Sequence, residues 1–166
     1  SLSIVVDPKA IDQLRDKNIG AIVKLKIGHQ ADTKWGNPIE DNFEIIDKSA
    51  GLFTYQGGIW GGETGDMGLS YLVKKSENYI LINSKPTYEW AGEQYHIMNL
   101  DLNNYKYILV KTPMNYRNLK LSGRTKYHRI DESGPTPINV EELPFTKSKK
   151  FFPKNLEEKM VIRQYF

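Results

Sequence analysis

The side chains best suited to bind metal or move protons are few and scattered. His29, His96 and His128 lie far apart in the sequence, with no His-x-x-x-His pair and no local His/Asp/Glu cluster of ligand spacing. There is no cysteine, which excludes disulfides, thiolate zinc sites and a cysteine nucleophile. A Gly-x-Ser-x-Gly elbow, a P-loop and a strand-anchored Gly-x-Gly-x-x-Gly are also absent. The nearest approach, Gly58-Ile59-Trp60-Gly61-Gly62, places a bulky indole where a pyrophosphate would need bare backbone. On this reading the chain supplies no catalytic residue and no metal ligand of its own.

What remains is binding chemistry. The stretch Gly57-Gly58-Ile59-Trp60-Gly61-Gly62-Glu63-Thr64-Gly65-Asp66-Met67-Gly68 is dense in glycine, which costs backbone entropy and implies positive φ angles or close approach of something to the backbone. The stretch is expected to be exposed, with Trp60 as an interface residue. Asp66 could serve as a ligand, as an acceptor for a partner backbone, or as a turn former. Lys111-Thr112 follows an apolar segment, at a strand end feeding a polar loop where sheet proteins often present functional groups.

The elements that would position these residues are mostly strands. Leu2 to Val6 reads as a strand, followed by a helix from Pro8 to Asn18 with Asp7 as its cap and Ala10, Ile11 and Leu14 on its apolar stripe. Strands are expected at Ala21–Ile27, Phe43–Ile46, Leu52–Tyr55 and Tyr105–Val110. Leu69–Val73 and Tyr79–Ile82 form an expected hairpin across Lys74–Asn78. A short helix is expected at Tyr116–Leu121. The fold class is α+β: a β-rich mixed or antiparallel sheet with a few helices, as a single domain over 1–154 with a tail, 155–166, that has rough helical spacing.

The 166 residues suffice for a hydrophobic core. Charges are 23 Lys and Arg against 20 Asp and Glu, interspersed except at Lys147-Ser148-Lys149-Lys150, which argues against nucleic acid as a partner. No apolar run approaches a membrane span, so no membrane association is expected. The lack of cysteine fits a reducing compartment, the cytoplasm.

Taken in order, several segments resemble the C-terminal domain of the MlrC (microcystinase C) family. They are Asp7-Pro8 and its helix, Gly20-Ala21 leading to Ile27-Gly28, Gly36-Asn37-Pro38, Gly65-Asp66-Met67-Gly68, the strand into Lys111-Thr112, and Leu143-Pro144-Phe145. The resemblance implies a larger N-terminal catalytic domain that holds zinc and is the partner of this one, with this chain as an accessory domain meeting a peptide-like substrate. Two positions depart from the family pattern. His29 stands where the family tends to have a second glycine, and Asn115 stands for a histidine in Lys111-Thr112-Pro113-Met114-Asn115-Tyr116-Arg117. An amide cannot shuttle a proton near neutrality, so Lys111, Asn115 and Arg117 are expected to bind substrate rather than do chemistry. A stand-alone small-molecule or protein-binding module using the glycine-rich loop is the alternative.

Overall fold

Asp7 ends one element and starts the next. In the computed structural model, which describes residues 1–30, 32–87, 92–112, 116, 119, 126–130 and 132, β1 (Leu2–Val6) runs into α1 (Pro8–Leu14) through this residue. The Asp7 carboxylate accepts the Ala10 N–H at 3.0 Å, and Pro8 occupies a first-turn position whose missing N–H costs nothing. Its other oxygen accepts from Gly28 N–H at 2.8 Å and Gln30 Nε2 at 2.9 Å. One buried carboxylate therefore ties the helix start to the end of β2 (Ile22–Ile27).

The chain divides into two compact units, Ser1–Tyr127 and His128–Phe166; the architecture below belongs to the first. Its main sheet has six strands in the order β2-β3-β6-β7-β1-β8, with β3 at Ile39–Ser49, β6 at Ser70–Lys75, β7 at Asn78–Asn83 and β8 at Ile108–Leu109. The pairs from β2 to β7 are antiparallel, whereas β1 lies parallel to both β7 and β8, so the sheet is mixed and the class is α+β. A separate two-stranded ribbon joins β4 (Leu52–Thr54) to β5 (Thr64–Asp66).

Both faces of the sheet are covered at its centre. On one, Ala10, Ile11 and Leu14 of α1 pack with Leu25, Ile27, Phe43, Ile45, Tyr71, Val73 and Ile82. On the other, Leu2, Leu72 and Leu81 meet Phe53, Tyr55 and Met67 of the ribbon and Tyr95, Met98, Leu100 and Leu102 beyond it. Burial on both sides explains the unbroken apolar run Ile80-Leu81-Ile82 in β7. In β3 the neighbours Ile45 and Ile46 pack on the α1 side and against the opposite cluster, as successive strand residues do, and a bulge between Ile45 and Asp47 shifts the register against β6.

Four expectations are corrected. The helix stops at Leu14 rather than Asn18, because the next stripe positions, Lys17 and Asn18, are polar and seven residues are held by packing rather than by propensity. β3 begins at Ile39, ahead of the expected Phe43. Its polar first half is paired across strands, Glu40 with Lys24 at 2.6 Å and Asp41 with Lys75. The expected strand Tyr105–Val110 shrinks to Ile108–Leu109, since Tyr105 N–H closes a 3₁₀ turn on Leu102. The glycine-rich stretch is exposed only as far as Thr64, and Gly65, Met67 and Gly68 are buried. The helix expected around Tyr116–Leu121 and the tail 155–166 fall on residues outside those described.

His29 adopts φ 50°, in the left-handed region. The departure from a glycine pattern thus falls on a backbone position where glycine is the unstrained choice.

β2 is an edge strand, and its outward-facing peptide at Lys26 is not left open. Gln13 of α1 accepts the Lys26 N–H at 3.1 Å and donates to the Lys26 carbonyl at 3.3 Å. The Gln13 amide stands where the next strand's peptide would be.

Candidate functional site

The ribbon β4–β5 carries the glycine-rich stretch, and its two halves do different things. In Gly65-Asp66-Met67-Gly68 every position is explained by packing. Gly65 faces Phe53 across the ribbon, and a Cβ there would fall 2.1 Å from the Phe53 ring. Met67 is fully buried, with its backbone N–H donating to the Gly51 carbonyl and its carbonyl accepting from Lys85 N–H. A Cβ on Gly68 would meet Ser84 Oγ at 2.3 Å. Of the three roles open to Asp66 from sequence, the geometry displays the turn: Oδ1 accepts the Gly68 N–H at 2.7 Å and Oδ2 pairs with Lys85.

The Lys85 ammonium, and after it the Gly68 amide, hold the Asp66 carboxyl below the usual carboxylate range. A depressed folded pKa adds stability above the unfolded value, and that stability fades as pH falls through the folded one. Asp66→Asn is therefore expected to lower the urea midpoint more at pH 7 than at pH 3. Equal midpoints at both pH values would remove the ion pair from the stability of this turn.

The other half of the stretch is an exposed tip. Tyr55 N–H donates to Glu63 O and Gly62 N–H to Tyr55 O, closing a loop whose centre is a 3₁₀ turn at Gly58–Trp60. Ile59 is 78% exposed and Trp60 45%, and Leu52 at the ribbon base is 60% exposed. Three large apolar side chains of one hairpin thus remain exposed.

Beside the ribbon lies α2, Glu93–His96. Glu93 Oε1 accepts the Gln56 N–H at 3.2 Å, fastening helix to ribbon. Between them opens a pocket of ≈ 320 Å³ lined by Leu52, Phe53, Thr54, Gln56, Glu93, His96 and Ile97. At its edge Phe53 and Tyr55 stack edge to face at 4.8 Å, and burial, then the Glu93 charge, pushes the Tyr55 phenol up. Leu52 and Glu93 are not among the sequence candidates, and His96 is weighed there only for metal or proton chemistry. A helix of four residues offers no periodicity to read, and Glu93 meets Gln56 only through the tertiary fold.

The structure places Trp60 and Asp66 on the same ribbon, one at the tip and the other in the closing turn. Lys111 is exposed, just past β8 at the far edge of the main sheet. The cation on Asp66 is Lys85, not Lys111. Asn115 and Arg117 lie outside the described residues. Among the described residues no three His, Cys, Asp or Glu side chains converge as a metal donor set: His29 follows β2 and His96 closes α2.

With this geometry in hand, comparison with known proteins is informative. A family model described as the MlrC C-terminus matches residues 1–147. The chain belongs to this family. The matched span contains the whole run of segments from Asp7-Pro8 to Leu143-Pro144-Phe145 that carries the resemblance. The fold of this MlrC C-terminus domain is shared with a solved structure, a metallopeptidase candidate from Mesorhizobium sp. BNC1, at TM-score 0.73 and 18% identity. That likeness covers 100% of this chain and 32% of the other, so the MlrC C-terminus domain spans about a third of its structural relative. No curated protein matches. No helix among the described residues is long and apolar enough to cross a membrane.

Proposed function

We propose that this chain is the accessory C-terminal domain of an MlrC-like metallopeptidase, a cytoplasmic peptide or amide hydrolase. It completes the substrate cleft or the domain interface and is not catalytic alone. The observation that carries this reading is the family match over residues 1–147 together with a structural relative three times as long. Zinc, in this reading, is held by the N-terminal domain. The described residues of this chain offer no converging donor set for it, and no step of the hydrolysis is assigned to them. Lys111, with Asn115 and Arg117, would hold a substrate carboxylate or carbonyl by charge-assisted hydrogen bonds, the fork of Arg117 being suited to a carboxylate.

The exposed tip at Ile59 and Trp60 favours a second reading, a stand-alone binding module. Metal analysis separates the two. The purified 166-residue chain should hold no stoichiometric zinc and hydrolyse no peptide, whereas the longer protein should hold zinc and lose hydrolysis on chelation, since catalytic zinc requires about three protein ligands and an open position. Tight zinc in the short chain would reject the accessory-domain reading, and a longer protein without metal-dependent hydrolysis would reject the hydrolase.

A further inference from the structure

The ribbon tip and the neighbouring pocket share an unusual composition. From residue 49 to residue 73 there is no Lys or Arg, although the chain has 23 of them, while Glu63 and Asp66 fall in the same span, Asp66 being paired with Lys85 from outside it. Neither the pocket lining nor α2 adds a Lys or Arg, and Glu93 adds another acid. Within a chain of net charge +3, the surface made by Leu52, Ile59, Trp60 and the pocket is apolar with an acidic edge. Glu93 also shows an unmet need: Oε1 bonds the Gln56 amide, but Oε2 is buried without a hydrogen-bond partner among the described residues. A buried carboxylate oxygen in that state is costly until a donor reaches it.

We propose that this face is the seat of the N-terminal domain of the same polypeptide, which meets it with an apolar surface carrying a Lys or Arg directed to Glu93. The inference rests on the accessory-domain reading and specifies where the two domains touch. A structural relative three times the length of this chain leaves room for such a partner domain, and the acidic edge calls for a complementary charge on it. Trp60 and Ile59 fit as the apolar anchors, with the ≈ 320 Å³ pocket receiving a side chain from the other domain. The glycines around Ile59 and Trp60 leave the tip without bulk of its own, so another surface can come close to the backbone.

Because these 166 residues contain no cysteine, an introduced thiol can be followed site by site. Ile59→Cys and, as a control, Ile39→Cys on exposed β3 are made in the longer protein and in the 166-residue chain. Alkylation by N-ethylmaleimide at each position is followed by mass mapping. In the longer protein Ile59→Cys should react at least about tenfold more slowly than Ile39→Cys, while in the short chain the two rates should agree within about threefold, as expected when a docked surface reacts only through opening. Adding Glu93→Lys to the longer protein should bring the Ile59→Cys rate back towards that of Ile39→Cys, whose unchanged rate reports that β3 remains folded.

Equal rates at the two positions in the longer protein would overturn the proposal, and so would protection in the short chain that grows with concentration, which would give the face to a second copy. Protection that Glu93→Lys leaves intact would overturn the charge pairing. A longer protein that hydrolyses peptides with zinc but leaves Ile59→Cys unprotected sinks this docking face alone. Protection without metal-dependent activity keeps the face and rejects the hydrolase.

Discussion

Gly51→Ala is expected to destabilise the domain by about 4 kcal/mol, summing a left-handed penalty for a residue with a Cβ and the overpacking of a closed site. Gly51 sits at φ 76°, and a Cβ there would lie 2.0 Å from the Gly68 carbonyl oxygen. That neighbour is backbone and cannot rotate away. It is also fixed in place, because Met67 N–H donates to the Gly51 carbonyl and Ser70 Oγ donates to the Gly68 carbonyl. The turn before β4 and the turn before β6 are thus clamped together, and separating them would pull the ribbon off the sheet. For a chain of this length the loss corresponds to a fall of roughly 12 °C in Tm. Calorimetry on the variant checks it, and a fall under about 3 °C would mean that the two turns can part at little cost.

Asp7→Ala is the second large effect, about 3 kcal/mol, because the change removes a helix cap and leaves a strand-end amide without its acceptor. The carboxylate is 4% exposed, so water cannot readily replace it for Ala10, Gly28 and Gln30. Asp7→Asn should recover part of the loss, since Oδ1 can still cap α1 while the amide nitrogen cannot accept from Gly28. Urea unfolding of the two variants beside the parent tests the order, and an Asp7→Asn variant as unstable as Asp7→Ala would show that the Gly28 and Gln30 bonds dominate the cap.

The parts of the fold legible in the sequence are those whose determinants are local. Asp7, Pro8 and the Ala10-Ile11-Leu14 stripe announce α1, and the polar turn at Lys74–Asn78 announces the β6–β7 hairpin, with each signal lying within a few residues of its effect. The first half of β3 was hidden because Glu40 and Asp41 look like loop residues until Lys24 and Lys75 stand beside them. The parallel pairing of β1 with β7 and β8 left no local trace.

The candidate site divides in the same way. The glycines pointed to the ribbon and Trp60 to its exposed tip. Glycine content alone, however, cannot separate a tip that must stay open from a joint that must close, and Gly65 and Gly68 belong to the joint. Lys85 as the partner of Asp66, and Glu93 as the fastening of α2, depend on contacts between segments distant in sequence that no short motif records.

The Gln13 amide on Lys26 bears on how this chain behaves among copies of itself. A strand at the rim of a sheet invites a foreign strand to continue the ladder, and β2 would present such a rim along its whole length. Because one side chain of α1 already fills both hydrogen-bonding positions at Lys26, only the stretch around Ile22 and Lys24 is left open, too short to recruit a partner. At the other rim β8 is two residues long. Among the described residues the sheet thus carries a guard against cross-chain β-pairing at both of its rims.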